Sequence, residues 1–246
     1  IGEAVNDEDT DARKIAGVIE TDPAIALKIV KAANSARYGG VSNVATVTEA
    51  VARLGMHNTR TLVVTFALRE LFRTPSRQLG ARMLELWEHS RRIGALAQVL
   101  GDRVGGFNSH EALLAGLVHD IGCVAVVGYA RDFPDVAQNT AALESSMQTL
   151  RSQLSGMILS TWQMPAELVT AAKDAENWYR DHSVPADYAD LVVVAQLHEG
   201  IGGDIDPAKV PAFGRLGLSP SEIDRGLDEL HDAHEEVAAA RELLAG

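Results

Sequence analysis

The adjacent pair His119-Asp120 is the strongest indication of chemistry in this sequence. It lies within a run from Ala112 to Val127 whose other members are apolar residues and glycines. A helix that is apolar on every side is buried, and an imidazole and a carboxylate are costly to bury unless both have partners. The pair must therefore be satisfied by each other, by a third polar group or by a metal ion.

Two further polar side chains are expected to point into the core. His89 lies at the edge of an apolar stripe, and the neighbours of Asp190 at helical spacing are alanine, valine and leucine. Two imidazoles and two carboxylates suit one Mn²⁺, Fe²⁺ or Zn²⁺ ion, which could activate a water molecule and orient a phosphate for hydrolysis. On the residues alone, a hydrogen-bonded core without metal is the more common outcome.

Without a metal, the same four residues are expected to join three helices. Consecutive residues of one helix point about 100° apart, so His119 and Asp120 each need a partner on another helix. His89 and Asp190 are the best candidates. We therefore expect the effects of His119→Ala and Asp190→Ala on stability to be strongly non-additive.

The elements that would position these residues are helices. Asp22-Pro23 is a typical helix start, Gly55 ends a helix beginning near Thr48, and Asn58 is expected to cap the next helix. Strand alternation is almost absent, so the fold class is predicted to be all-α. Further helices are predicted over 77–100, from 108 or 109 to 127, and over 143–162, 165–177, 186–199 and 219–244.

Turn residues divide the chain into three segments. We expect a small N-terminal helical subdomain over residues 1–75, a second helical subdomain over 76–200 that carries the four polar residues, and a loop and helix over 201–246. The last helix has an apolar stripe that packs on its own domain or mediates self-association, so the oligomeric state stays open. The other histidines have polar or turn neighbours and are expected to be exposed: His57, His110, His182, His198, His231 and His234.

The composition indicates a globular protein of the cytoplasm. The chain has 246 residues, of which 46% are hydrophobic and 23% charged. It has no apolar run of about 18 uncharged residues, so no membrane span is expected. The single Cys123 excludes an internal disulfide and fits a reducing compartment. Because the chain starts with Ile1 and has no signal-peptide pattern, we expect a trimmed start.

The net charge of −12 is concentrated in the second half of the chain. This acidity disfavours nonspecific nucleic-acid binding, which depends on neutralising phosphates. The first half contains a basic stretch, interpreted as a solvated helix surface or, alternatively, as a patch for an anion or partner. The candidate patch residues are Arg69, Arg73, Arg77 and Arg92.

The combined motifs resemble the HD superfamily of metal-dependent phosphohydrolases. His89, His119, Asp120 and Asp190 follow its ligand order, His…His-Asp…Asp. The regulatory HDOD branch is the most similar. Its signature segments are Asp22-Pro23-Ala24, Ala33-Asn34-Ser35-Ala36-Arg37-Tyr38-Gly39, Arg53-Leu54-Gly55, Trp87-Glu88-His89-Ser90, Ala115-Gly116-Leu117-Val118-His119-Asp120-Ile121-Gly122 and Trp162-Gln163-Met164-Pro165. We interpret Asn34-Ser35 as a helix end held by side-chain hydrogen bonds.

The sequence departs from the related HD-GYP phosphodiesterases at their second set of metal ligands. Cys123 replaces a lysine, Arg151 replaces a histidine, Ala175-Glu176 replaces a histidine pair, and the Gly-Tyr-Pro signature is missing. A second metal site built on those histidines therefore cannot form. A mononuclear site remains compatible with the sequence.

The resemblance implies an HD-like helical domain preceded by a small N-terminal helical subdomain. HDOD proteins generally lack demonstrated hydrolase activity and act as signalling modules, often linked to kinases or cyclic-dinucleotide enzymes. The leading expectation is therefore a cytoplasmic regulatory module that binds a protein or small ligand without turnover. The alternative is a mononuclear phosphohydrolase acting on a nucleotide or cyclic dinucleotide. The cofactor would be none, or one Mn, Fe or Zn ion.

Overall fold

The computed structural model describes residues 12–220, apart from residues 36, 37 and 41. In this part of the chain the regular elements are α-helices and two 3-10 helices, with no strand, so the predicted all-α class is confirmed. The predicted helix after Ser219 lies almost wholly outside the described residues. The α-helices are α1 (Ala12–Glu20), α2 (Pro23–Ala33), α3 (Val47–Leu54), α4 (Met56–Leu68), α5 (Arg77–Val104), α6 (Ser109–Val118), α7 (Ile121–Ala130), α8 (Pro134–Ala137), α9 (Thr140–Thr161), α10 (Ala166–Asp174), α11 (Tyr188–His198) and α12 (Pro211–Arg215).

The chain forms two compact units that divide between Glu70 and Leu71. The first unit contains α1–α4, and its aliphatic core includes Ile15, Ile19 and Ile29, each with no exposed surface. We did not predict α1 from the sequence, because three buried residues in nine give too short a periodic pattern.

Local signals in the first unit set most helix boundaries. The Asp22 side chain accepts hydrogen bonds from two backbone N–H groups at the start of α2, and Gly55, with a φ of 77°, ends α3. The prediction that Asn58 caps the next helix is wrong. Helix α4 begins at Met56, and Asn58 Nδ2 instead donates to the Leu54 carbonyl at 2.8 Å.

The segment after α2 is held by side chains of the motifs at Ala33-Asn34-Ser35 and Arg53-Leu54-Gly55. Asn34 donates to the Val44 carbonyl at 2.8 Å and accepts from the Val44 N–H at 2.9 Å. Arg53 donates to the Asn34 side chain at 3.3 Å and to the Ser42 carbonyl at 2.6 Å. The Ser35 hydroxyl donates to a carbonyl of α2 at 2.7 Å. The interpretation of Asn34-Ser35 as a hydrogen-bonded helix end is confirmed.

The second unit is organised around the long helix α5. Helix α5 packs against α6 and α11, α7 packs against α9, and α10 packs against both α9 and α11. The expected loop over 200–218 contains a 3-10 turn at Pro207–Lys209 and the short helix α12. This arrangement places α5, α6, α7 and α9 around the predicted functional residues.

The predicted buried helix from 109 to 127 is interrupted. Helix α6 ends at Val118 and α7 begins at Ile121, so His119 and Asp120 lie in a break between two helices. The His119 side chain bonds to the carbonyl of Gly116, one turn earlier, at 2.7 Å. The expectation that the two side chains diverge by a helical step is therefore wrong.

By length and composition alone, the combined segment Ser109–Ala130 is apolar enough to cross a membrane. In the structure, 83% of that apolar window is buried inside the protein. Such burial is typical of the core helices of globular proteins.

Candidate metal centre

A close approach of two helices brings the candidate histidines together. A Cβ atom added at Gly116 on α6 would lie 2.5 Å from the Cα of Gly94 on α5, a distance that real Cβ atoms do not reach. Glycine at position 116 therefore lets the two backbones approach closely. Across this contact, the Nε2 atoms of His89 and His119 lie 2.9 Å apart.

Asp120 completes a cluster of three donor atoms. Its Oδ2 atom lies 3.4 Å from Nε2 of His89 and 3.5 Å from Nε2 of His119. His119 has no exposed surface, and Asp120 is 7% exposed. The break between α6 and α7 thus turns two adjacent side chains towards one point.

The protonation states of the cluster suit a cation. Burial is the main cause that lowers the pKa of His119, to about 4, so the imidazole is neutral near pH 7. Its Nδ1 donates to the Gly116 carbonyl, which leaves the Nε2 lone pair facing His89 and Asp120. Burial opposes ionisation of Asp120, but His119, His89 and Arg151 together outweigh it and hold the pKa of this carboxyl below its ordinary value.

The distances between the donor atoms fit one divalent ion. Two nitrogens bound at about 2.1 Å and at right angles to each other lie about 3.0 Å apart, close to the 2.9 Å between the imidazoles of His89 and His119. Two imidazoles and one carboxylate are ligands suited to Mn²⁺, Fe²⁺ or Zn²⁺. Without a metal, the Nε2 atom of His89 can donate to that of His119 instead.

A second close contact, between α7 and α9, lies next to Asp120. A Cβ atom at Gly122 would lie 2.4 Å from the Arg151 carbonyl on α9. The Gly122 N–H donates to the Ser155 hydroxyl at 2.9 Å. This hydroxyl in turn donates to the His119 carbonyl at 3.3 Å. Helix α9 is thereby fixed against the break that carries His119 and Asp120.

Arg151 places a buried positive charge at the cluster. Its Nη1 lies 3.4 Å from Oδ1 of Asp120 and is also paired with Glu176. Arg151 is 8% exposed. One oxygen of Asp120 thus faces two imidazoles, while the other faces a guanidinium. In the sequence, Arg151 is a departure from a metal-ligand pattern, but no local pattern indicates its contact with Asp120, because that contact requires the packing of α7 against α9.

The cluster opens into a cavity of about 360 Å³. His89, Asp120 and Arg151 line one part of it. Its remaining charged residues are Arg82, Glu85, Arg92, Glu144 and Glu176. Counting Asp120, four carboxylates and three guanidinium groups line the cavity, so without a bound cation its charges nearly balance.

Asp190, the expected fourth ligand, has other partners in the structure. It is 1% exposed, as its apolar neighbours predicted. Its Oδ1 lies 3.4 Å from Nη1 of Arg180. Its Oδ2 lies 3.2 Å from Nε2 of His182 and also accepts a hydrogen bond from the Asp187 N–H at 3.0 Å. The reason is its position as the third residue of α11, where it completes a capping box with Asp187. The cluster of close donor atoms at His119 contains His89 and Asp120 but not Asp190.

Arg180 is the residue of this region that sequence reasoning missed. Its guanidinium contacts Asp174 at 3.0 Å and Asp187 at 2.5 Å, as well as Asp190. Arg180 lies in the irregular segment between α10 and α11, where no periodicity marks an inward side chain. Only the high density of acidic residues around positions 174–190 could have indicated a buried cation.

The four candidate residues of the basic patch do not all belong to one element of the chain. Arg92 lines the cavity at the cluster and pairs with Glu199 at 2.8 Å. Arg73 lines a separate cavity, Arg77 begins α5, and Arg69 belongs to the first unit.

The expectation that the remaining histidines are exposed is wrong at three positions. His110 on α6 is 5% exposed. The His182 side chain is 14% exposed because it packs beside Arg180 and Asp190. His198 at the end of α11 is half-buried, and burial lowers the pKa of its imidazole. His231 and His234 lie outside the described residues.

The fold is similar to that of several solved structures. A protein from Shewanella amazonensis SB2B, provisionally named a metal-dependent phosphohydrolase, is 23% identical with a TM-score of 0.80, over 98% of this chain and 88% of that chain. An HDOD domain protein of unknown function from Geobacter sulfurreducens is 21% identical with a TM-score of 0.70, over 98% and 89%. A provisionally named signal transduction protein from Marinobacter aquaeolei VT8 is 21% identical with a TM-score of 0.70, over 100% and 58%.

Identities at this level establish the shared fold alone. None of the curated proteins compared with this chain matches it. The model of the HDOD domain matches residues 1–178, which is most of the sequence. The chain belongs to the HDOD domain family.

Proposed function

We propose that this chain is a cytoplasmic signal-transduction module that binds a small ligand or a partner protein without turning it over. Membership of the HDOD family and a fold like that of a protein named for signal transduction fit a regulatory role. By family resemblance, the expected partners are kinases or enzymes of cyclic-dinucleotide metabolism. Nucleic acid is not an expected partner of so acidic a chain.

The observation that carries the proposal is the contact of Arg151 with Asp120. The guanidinium faces the carboxylate oxygen that the imidazoles leave open, so a protein cation stands beside that oxygen. Asp190 is engaged by Arg180. Both acidic residues of the HD pattern are thus partly neutralised by arginine, an arrangement that stabilises the interior more readily than it assembles a set of four metal ligands.

His89, His119 and Asp120 are the residues that would hold a single metal ion. When bound there, Mn²⁺, Fe²⁺ or Zn²⁺ would supply Lewis-acid polarisation of a phosphate oxygen or of a water molecule. The rest of the site would orient the ligand: Arg82 and Arg92 line the adjoining cavity and can donate to anionic oxygens. In a regulatory module, this set binds a phosphorylated ligand and holds it.

The test is a search for turnover with the intact chain. The protein is purified without chelators and incubated with Mn²⁺ or Fe²⁺ and cyclic dinucleotides, guanosine tetraphosphate and pentaphosphate, or nucleotides. We expect no hydrolysis above that of the His119→Ala variant. Hydrolysis that is lost in His119→Ala would overturn the proposal.

The convergence of three donor atoms beside an open cavity favours one alternative, a mononuclear metal phosphohydrolase. Elemental analysis distinguishes it from a metal-free module. About one equivalent of transition metal in the wild type, lost in Asp120→Ala, together with turnover, would support the enzyme. Protein that is metal-free after purification and inactive on added metal would exclude this alternative.

A further inference from the structure

A second cavity lies in the second unit and shares no lining residue with the first. Its volume is about 480 Å³, within the roughly 300–1,000 Å³ typical of small-molecule sites. Helix α7 lines it with a stripe at helical spacing: Ile121, Val124, Ala125 and Gly128. Cys123, on a different face of the same helix, lines the first cavity. Helix α7 therefore separates the two cavities.

The walls of the second cavity are mainly apolar and partly open to solvent. Helix α9 contributes Leu154, Met157 and Ile158, and Trp162 follows at its C-terminal end. Met157 is 58% exposed and Trp162 is 41% exposed. Within the part of the chain that the structure describes, this apolar surface faces water, so covering it with an apolar group is favourable.

The charged residues that line this cavity are Arg73 and Arg131, and none of its described lining residues is acidic. This bias is unusual in a chain with a net charge of −12. Arg131 lies 3.2 Å from Asp132, but both side chains are more than half exposed, so solvent screens the pair and a stronger acceptor can compete for the guanidinium. The charge lining the cavity is thus complementary to an anion.

We propose that the second cavity is a ligand site for a small amphiphilic anion, such as a medium-chain carboxylate. Its apolar body lies against the α7 stripe and Met157, and its carboxylate accepts hydrogen bonds from Arg73 and Arg131. An α-helix with side chains is about 10 Å across, so a cavity of this volume holds a single acyl chain or ring system rather than a partner helix. This site is additional to the ligand site of the proposed function.

The proposal is tested by calorimetric titration of the whole chain with decanoate and, as a matched cation, decyltrimethylammonium, both below micelle formation. We expect saturable 1:1 binding of decanoate and markedly weaker binding of the cation. Gly128→Leu should abolish decanoate binding. The nearest atom to a Cβ at position 128 is the flexible end of Met83 at 3.9 Å, so the new side chain enters the cavity without disturbing the backbone. Gly80→Leu is the matched control, since position 80 on α5 lines neither cavity.

A second variant separates charge from shape. Arg73→Gln combined with Arg131→Gln removes the two charges and should weaken decanoate binding by about tenfold while leaving the affinity for the cation no lower. Absence of decanoate binding would overturn the proposal, as would unchanged binding in Gly128→Leu or equal affinity for decanoate and the cation. If Gly128→Leu fails to fold, the arginine double variant decides the outcome.

Discussion

Arg151 and Asp120 form a buried contact in which Nη1 of the guanidinium lies 3.4 Å from Oδ1 of the carboxylate. The other carboxylate oxygen faces the imidazoles of His89 and His119. Asp120 therefore has two competing partners for its charge, a fixed cation of the protein and any metal ion held by the histidines. The balance between them decides whether the cluster is a hydrogen-bonded core or a metal centre.

Replacing Arg151 should shift that balance towards metal. We expect Arg151→Gln to lower the free energy of unfolding in chelator by about 1–3 kcal/mol, because Asp120 and Glu176 lose a buried partner. Added Mn²⁺ should then raise the unfolding temperature more in the variant than in the wild type, since a repelling charge has been removed.

The matched control for Arg151 is Arg92→Gln. Arg92 also lines the cavity, but its side chain is 40% exposed and its pair with Glu199 is screened by solvent. Its loss should change the unfolding free energy by only about 0–1 kcal/mol. Thermal unfolding of the three proteins with and without Mn²⁺ checks the prediction, and an equal response of both variants would contradict it.

The contact of Gly116 with Gly94 gives a sharp stability prediction. Gly116→Ala places a Cβ 2.5 Å from the backbone of α5, which cannot shift without separating the histidines. We expect a loss of about 2–4 kcal/mol of unfolding free energy, in the range of severe overpacking. Gly128→Ala on α7 meets only the end of Met83 at 3.9 Å and should be neutral or stabilising by up to about 1 kcal/mol. Similar urea midpoints for the two variants would contradict this.

The local part of the fold could be predicted from the sequence, because the deciding groups lie within a few residues of each other. The Asp22-Pro23 start and the Gly55 stop are backbone signals that tertiary packing did not override. The inward position of Asp190 also followed from its apolar neighbours. Periodicity therefore identified Asp190 as buried, although it did not identify His110 or Arg151.

The partners of those buried residues could not be predicted, because they depend on contacts between distant segments. Arg180 reaches Asp190 from an irregular segment, and Arg151 reaches Asp120 from α9. The break at His119-Asp120 is likewise bridged by the Ser155 hydroxyl, which is 36 residues away from His119 along the chain. Periodic patterns predict which face of a helix is buried, but not which residue of another segment contacts that face.

Acid should destabilise the metal-free protein through His119. Its pKa is about 4 in the fold, against 6.5 for the unfolded reference, so below pH 6.5 the unfolded chain binds the proton more readily. The contribution of neutral His119 to the free energy of unfolding is therefore fully present above pH 6.5. It is lost as the pH falls towards 4, which lowers the free energy of unfolding by roughly 3 kcal/mol in total.

Urea unfolding in chelator at pH 7, 6, 5 and 4.5 measures this effect. His119→Gln removes this titrating group and should reduce the pH dependence between 6.5 and 4.5, while being less stable than the wild type at pH 7. Part of the dependence should remain, because burial also lowers the pKa of His198. A variant whose stability declines as steeply as that of the wild type would show that another group is responsible.

Asn34 should be a stability determinant of the first unit. Its side chain forms two hydrogen bonds with the backbone of Val44, and one of its atoms also accepts from Arg53. Asn34→Ala leaves these groups without partners, which should cost about 1–3 kcal/mol. Asn58→Ala is the control, because Asn58 makes one bond to a carbonyl near a helix end. Equal losses of unfolding free energy in the two variants, measured by chemical unfolding, would contradict this role of Asn34.

The separation of His119 from Asp190 reverses the coupling expected from the sequence. In the described part of the chain, the polar partners of the His119 side chain are His89, Gly116 and Asp120, whereas the Asp190 side chain contacts Arg180 and His182. We now expect the effects of His119→Ala and Asp190→Ala on unfolding free energy to add to within about 0.5 kcal/mol.

Arg180 and Asp190 should instead be strongly coupled. Removing either residue alone leaves a buried charge with fewer partners, while removing both relieves it, so a double-mutant cycle of Arg180→Ala and Asp190→Ala should show a coupling of about 1–3 kcal/mol. Thermal or urea unfolding of both cycles in chelator provides the measurement. A large coupling between His119 and Asp190, with none between Arg180 and Asp190, would contradict this expectation. Asp190 would then belong with the metal-ligand candidates, as the sequence pattern predicted, and the cluster would not be limited to three residues.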